Sequence, residues 1–412
     1  MIKEKPYKLM TREERGSLIV KRLRIVKSFN GWKVQSSNGK DYYTVTFNGH
    51  EPTCDCPDCK MRHNRCKHIH AVELYIRQEI DNQGKITQTK GVKVTYSQDW
   101  NAYDKSQTNE KLVFMKLLKD LCEDIKQPNY IFGRPTLPFA DILFASALKV
   151  YSTFSLRRFM SDMKIAKEMQ LINTSCTYPT ISNFMNREDV TGILKELIAV
   201  SSTPLREVET NFAIDSSGFS TSRFGRWYDY KWGKERKIRM WLKAHVMSGT
   251  KTNIITSVEV TEGRDNDSPQ LPRLVRESAK IFALSEVACD KAYLSKDNLK
   301  AIDEQGATAY IPFKSNSNAR SHYGGTSTLW KKMYYYFMYK NEEFKQHYNK
   351  RSNAETIFHM IKTKFKDNLR SKSKTAQINE LLLKVLCHNI CVVIQEVNEL
   401  GIRGEFVFEE RK

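Results

Sequence analysis

The apolar and polar positions of residues 17–26, 32–36 and 42–47 have strand character, and three strands are predicted there. Asn38-Gly39 and Asn48-Gly49 supply turn residues beside them. Residues 69–80 carry apolar side chains at helical spacing and are predicted to close a small β-rich unit with a helix. From 81 to 110 the chain is polar and poor in apolar residues, and a linker is expected. Helical periodicity returns over 112–125, 139–151, 156–167 and 190–200, so 111–205 reads as a helical region. Gly133-Arg-Pro-Thr and Tyr178-Pro-Thr punctuate it.

The pattern changes at Asn211. A short apolar run, Phe212 to Ile214, ends in Asp215, and two further strands are predicted near 240–246 and 253–260. Residues 268–282 read as a helix with Ser268 as N-cap and Pro269 at its first position. A strand over 287–289 ends in Asp290. A helix (296–305), a strand (307–312), two helical stretches (329–344 and 353–366) and an apolar helix (377–400) follow. Three strands, then helix, strand, helix, strand and helix is the order of an RNase H-like α/β domain, a mixed five-stranded sheet flanked by helices. The expected division is a β-rich domain (1–80), a linker (81–110), a helical region (111–205), an α/β domain (206–370) and a C-terminal helix (371–412).

Composition narrows the function. No run of about 18 apolar residues occurs, so no membrane span is expected. Met1 to Lys8 is polar and basic rather than signal-like, and an intracellular protein is expected. The formal charge is +20 and it is clustered. Residues 310–372 hold thirteen Lys or Arg against four acids, and 221–243 hold eight against two. Such clustering is the footprint of a polyanion partner, because each phosphate contact releases condensed counterions.

A basic protein with isolated strand-end acids suggests phosphodiester chemistry. Two divalent ions about 4 Å apart can generate the nucleophile and stabilise the leaving oxygen, and hard cations such as Mg²⁺ or Mn²⁺ want carboxylate ligands. Asp215 and Asp290 each follow a short apolar strand. Taken singly, each also reads as an ordinary turn residue. Residues 348–362 read as a helix, and at helical spacing Tyr348, Arg351, Glu355, His359, Lys362 and Lys366 fall within about 40° of one line. Ala354, Ile357, Phe358, Ile361 and Phe365 form an adjoining apolar face that suits packing on a sheet. The alternative is an exposed charged stripe with Arg351 paired to Glu355.

Tyr348-x2-Arg351-x3-Glu355-x6-Lys362 resembles the Y-R-E-K signature of a large group of prokaryotic insertion-sequence transposases. Asp215-Ser-Ser-Gly-Phe-Ser and Asp290-Lys-Ala-Tyr resemble that group's flanking blocks, and the likeness covers roughly 130–390. It implies that Asp215, Asp290 and Glu355 form a DDE triad for two Mg²⁺ or Mn²⁺ ions on an RNase H-like fold. It further implies that Tyr348, Arg351 and Lys362 contact DNA or assist the transition state. The implied partners are double-stranded DNA, as terminal inverted repeats and target, and a second copy of the chain on synapsed ends, in a prokaryotic cytoplasm. Some relatives carry a large β-rich insertion between the second Asp and the Glu, for which the interval from Asp290 to Glu355 leaves no room. Hairpin and nick routes of excision both stay open.

Four of the nine cysteines crowd between Cys54 and Cys66, beside His63, His68 and His70. Cys54-x-Cys56 suits a tight turn and Cys66-x-His68 suits a helix entry, so together they offer four ligands for one tetrahedral Zn²⁺. Cys59, His63 and His70 are spare candidates. The pattern resembles the SWIM zinc-binding domain, to which DNA and protein binding are both attributed, and Lys60, Arg62, Arg65 and Lys67 favour DNA.

Weaker signals remain. Arg223 to Lys234 interleaves Trp227, Tyr230 and Trp232 with cations, which suits stacking on unpaired bases but equally suits aromatics around a turn. Lys243 and His245 share a strand beside the first acid, as candidate phosphate contacts or, for His245, a buried hydrogen-bonded side chain. Asp267 is a possible fourth acid, and helix capping is the simpler role. Two other functions stay open: a non-catalytic DNA-binding regulator, and a nuclease that cuts without joining.

Overall fold

The computed structural model describes residues 10–22, 25–28, 31–36, 41–48, 51–62, 65–76, 78–80, 86–88, 99–127, 137–221, 241–319 and 328–407. The chain divides into two compact units, Met1–Ser97 and Gln98–Lys412.

The first unit opens with helix α1 (Arg12–Arg22) and an antiparallel sheet in the order β1 (Ile25–Ser28), β2 (Gly31–Gln35), β3 (Tyr42–Asn48) and β4 (Glu51–Cys54). Helices α2 (Pro57–Arg62) and α3 (Lys67–Ile76) and a hairpin of β5 (Gln78–Ile80) and β6 (Ile86–Gln88) complete it. Residues 17–22, expected in a strand, are helical. Thr11 and Glu14 form a capping box: the Thr11 N–H donates to Glu14 Oε2 at 2.6 Å and the Glu14 N–H to Thr11 Oγ1 at 3.2 Å. Ile19, Val34, Val45, Ile69 and Val72 make the core.

The second unit begins with α4 (Trp100–Thr108), α5 (Glu110–Glu123), α6 (Phe139–Ser152), α7 (Leu156–Glu168), α8 (Tyr178–Met185) and α9 (Asp189–Ser201). Two of these depart from the sequence reading. The expected linker contains α4, whose first turn is capped by Asp99 accepting from the N–H groups of Asn101 and Ala102. The Tyr178-Pro-Thr break is the first turn of α8, where a proline does no harm because that N–H has no intrahelical partner.

The sheet follows: β7 (Asn211–Ser220), β8 (Trp241–Gly249), β9 (Ile255–Glu262), β10 (Glu286–Cys289) and β11 (Thr308–Tyr310), in the order β11-β10-β7-β8-β9. β7, β8 and β9 are antiparallel neighbours, while β10 and β11 run parallel to β7. Helices α10 (Leu271–Ala279) and α11 (Lys296–Asp303) connect the later strands. Then come α12 (Thr328–Tyr339), α13 (Asn341–Tyr348), a 3-10 turn (Asn349–Arg351), α14 (Ser352–Phe365) and α15 (Lys374–Glu399).

Alternation along β7 sorts the core onto the two faces of the sheet. Phe212 and Ile214 meet Leu274 of α10 and Leu299 of α11 on one face. Phe219, with Val246 and Val258, meets Ile357 and Ile361 of α14 and the helices α5 to α9 and α15 on the other. The helical region and the sheet therefore share one core. By length and composition α15 could cross a membrane, contrary to the sequence reading. Its apolar stretch is 83% buried within the protein, which fits a core helix.

Candidate active site and metal centre

Asp215 lies in the middle of β7 rather than at a strand end, because the ladder with β8 continues to Ser220. β10 pairs with β7 in parallel register, Cys289 opposite Ile214, so Asp290 follows beside Asp215 on the neighbouring strand. Adjacent strands are about 4.8 Å apart, and paired positions turn their side chains to the same face. Asp290 begins a 3-10 turn (Lys291–Tyr293), and its Oδ1 accepts the Lys291 N–H at 2.6 Å.

Glu355 is delivered to this same face by α14. Its apolar stripe, Ala354, Ile357, Phe358, Ile361 and Phe365, is buried as the helical spacing predicted. Several contacts fix the approach. Glu286 of β10 accepts from Lys350 Nζ at 2.8 Å and pairs with His347 Nδ1 at 2.8 Å, tying α13 and the 3-10 turn to the strand before Asp290. Asn353 Nδ2 donates to the Thr250 carbonyl at the end of β8. Lys362 Nζ donates to Ser217 Oγ at 2.7 Å, two residues along β7 from Asp215.

The single helix expected over 348–362 is broken. Tyr348 ends α13, Arg351 lies in the 3-10 turn, and Lys366 leaves α14 with φ +72°. The break folds Arg351 inward. Its guanidinium is 3.6 Å from Asp215 Oδ2 and 2.7 Å from Glu355 Oε1. Arg351 and Asp215 are each 20% exposed, whereas Glu355 is 62% exposed, so the pair with Glu355 sits at the mouth of the site. Tyr348 is half-buried, with the Arg351 guanidinium 5.9 Å from its ring centroid. Burial pushes the Asp215 carboxyl above its ordinary range, and the charges of Glu355 and Asp290 push the same way. Three acids that repel one another in a partly buried place fit a divalent cation.

Asp267 has neither role expected of it. It occupies the N-cap position of a 3-10 turn (Ser268–Gln270) without a capping hydrogen bond. Instead it accepts from Ser216 Oγ at 3.0 Å and Lys243 Nζ at 2.7 Å. Alternation turns Ser216 away from Asp215, so this pair belongs to the opposite face, and Lys243 is engaged there rather than beside the three acids. His245 is fully buried, with Nε2 2.9 Å from Thr261 Oγ1, and burial lowers its pKa. Trp227 and Trp232, with the aromatic and basic run around them, lie outside the described residues.

The second cluster is in the first unit. β4 ends at Cys54, Cys56 precedes α2, and Cys66 and His68 flank the start of α3. All four are buried and their ligand atoms lie within 4.8 Å of one another. His68 Nδ1 is 3.9 Å from Cys54 Sγ and 3.8 Å from Cys66 Sγ. A tetrahedral Zn²⁺ with ordinary bond lengths sets such edges at about 3.6 Å, so the residues fit the ion. Hydrogen bonds from Cys54 and His68 favour the Cys66 thiolate, the ligand form of the group. Of the spare candidates, Cys59 is half-buried, His70 Nδ1 is 4.0 Å from Glu73, and His63 lies outside the described residues.

Sequence reasoning missed Glu286, His347, Lys350 and Ser217, which lie within a few residues of the candidate site residues and aim the site by contacts between elements. Nothing local marks them. The chain is similar to a piggyBac transposase solved by cryo-EM as a synaptic complex with hairpin DNA, at 12% identity, over 74% of this chain and 76% of that one, with a TM-score of 0.34. Residues 207–390, which carry Asp215, Asp290 and Glu355, match the family described as the transposase DDE domain, and this match supports a DDE-type transposase.

Proposed function

We propose that this protein is a DNA transposase of an insertion sequence that cleaves and joins DNA strands, with two Mg²⁺ or Mn²⁺ ions held by Asp215, Asp290 and Glu355. The observation that carries the reading is the parallel register that sets Asp290 beside Asp215, under a helix bringing Glu355. The strand order supports an RNase H-like catalytic domain, and the Cys-x-Cys and Cys-x-His cluster supports a SWIM-type zinc domain before it.

Such ions, when bound, supply Lewis acidity and a nucleophile at neutral pH. The protein's own residues do the rest. Asp215 and Asp290 are held rigidly by adjacent strands, while Glu355 stands at the exposed mouth. Arg351 presents its guanidinium between Asp215 and Glu355, where it suits charge developing on phosphoryl oxygens. Lys362, further along α14 and held by Ser217, suits the phosphate backbone. The nucleophile is water for cleavage and a 3′-hydroxyl for joining, and no covalent enzyme–DNA bond is implied. A homodimer on two synapsed ends, acting in a prokaryotic cytoplasm, belongs to the same proposal.

The test is incubation of the purified protein with Mg²⁺ and the DNA flanking its own gene. Cleaved and joined products are expected. Cleavage without joining would favour a nuclease, and binding without cleavage a regulator.

A further inference from the structure

Helix α12, between the second and third acids, carries two of its aromatic residues, Tyr335 and Tyr339, on the outside. At 100° per residue, Lys331, Lys332, Tyr335, Met338 and Tyr339 fall within about 120° of arc. The two lysines are exposed, as are Tyr335 at 47%, Met338 at 54% and Tyr339 at 82%. The opposite face anchors the helix: Met333 is buried, Trp330 and Phe337 pack on Phe313, and Tyr336 and Phe337 pack on Phe344 of α13. The outer residues are therefore not the misplaced core of a loose element.

Chemistry chooses the occupant. The rings of Tyr335 and Tyr339 lie 5.8 Å apart and 22° from parallel, a step of planar surface along the helix. α12 contains no acid, and among the described residues neither Lys331 nor Lys332 has a carboxylate partner. The nearby acids Glu342 and Glu343 are paired with Lys345 and Lys340. Flat rings beside cations with no carboxylate partner among the described residues complement a strand that offers both base faces and phosphates, since every base has a π-face.

We infer that the outer face of α12 is a stacking platform for unpaired nucleotides, with Tyr335 and Tyr339 taking bases and Lys331 and Lys332 the adjoining phosphates. The inference rests on the DNA reading above, and it adds a preference for single-stranded character that this reading does not require.

The experiment measures affinity of the full chain for one duplex, blunt or carrying a short unpaired tail. The wild type should prefer the tailed duplex. Tyr335→Ala/Tyr339→Ala should lose about fivefold or more on the tailed probe and less than about twofold on the blunt one. Tyr335→Phe/Tyr339→Phe should keep the preference, because the rings remain. Lys331→Gln/Lys332→Gln should flatten the salt dependence on the tailed probe. Equal losses on both probes, or no loss, would overturn the platform while leaving duplex binding intact. Unchanged tail preference with an altered oligomeric state would make this face a contact between copies instead. Failure of the wild type to bind either probe would remove the DNA reading and the platform together. Circular dichroism and thermal melts of each variant establish that the exposed substitutions leave the fold intact.

Discussion

Arg351 touches two of the three acids at once, and Lys362 touches none of them, so the two cations should fail differently when removed. Arg351→Ala should lower the single-turnover rate at saturating DNA by about 10²-fold with little change in affinity, as expected for a group that meets charge formed only in the transition state. Lys362→Ala should weaken binding of every DNA sequence and reduce the salt slope by about one. A wild-type saturated rate in the first variant, or an unchanged slope in the second, would reverse these roles. Tyr348, Arg351, Glu355 and Lys362 stood out in the sequence because they share one short stretch, whereas the approach of Arg351 to Asp215 is a property of the fold. The role of Asp267 was not legible. A serine-proline step after an aspartate looks like a helix cap, and only the fold shows that Ser216 and Lys243 compete for its carboxylate.

Helix α15 joins the helical layer to the sheet through single polar residues. Asn389 is fully buried; its Oδ1 accepts the Ile255 N–H and its Nδ2 donates to the carbonyls of Ile255 and Ile198 and to Ser201 Oγ. Asn389→Leu removes the acceptor of the buried Ile255 N–H, while Ser201 Oγ still donates to the Ile198 carbonyl; about 1–3 kcal/mol for a buried group left unsatisfied predicts a loss of that size in chemical denaturation. Glu396 of the same helix is 6% exposed, and burial, helped by Glu399 and Glu209, pushes its carboxyl up to about 7. A folded pKa above the unfolded one gives stability that is complete below about pH 4.5 and is lost as pH rises through about 7. Glu396→Gln should match the wild type near pH 4.5 and exceed it by up to about 3 kcal/mol near pH 8. Thermal melts at the two pH values decide it, and a difference independent of pH would assign the effect to packing. At this scale the sequence was a good guide where periodicity was strong, as in α5, α6, α9 and the buried stripe of α14. It misled where local chemistry overrode hydropathy, at the capping box of α1 and the proline of α8. It also shortened β7, whose second half, from Asp215 to Ser220, is too polar to look like a strand and is held by the ladder to β8.

The chain divides into two units, each with its own candidate metal site. The first has a small core, and its four buried ligands join β4 to α3, so ion binding and folding should be one event there. Metal analysis should find about one Zn²⁺ per chain. Cys54→Ser should lower that content and unfold the first unit while leaving the melting of the second unchanged. Undiminished zinc in that variant would mean a different ligand set. The outline of the larger unit was readable from the order of its strands and helices, but the continuity of its core was not, because which helices cover which face of a sheet is a tertiary fact. The central claim concerns three carboxylates, and the most direct measurement is single-turnover cleavage at saturating DNA in Mg²⁺ by Asp215→Asn, Asp290→Asn and Glu355→Gln. Each change keeps the side chain's shape and removes the charge that holds a cation. The account predicts a rate at least about 10³-fold below wild type in every variant, with DNA affinity changed less than about threefold. Cleavage within about tenfold of wild type by any one of them would contradict its place in the site.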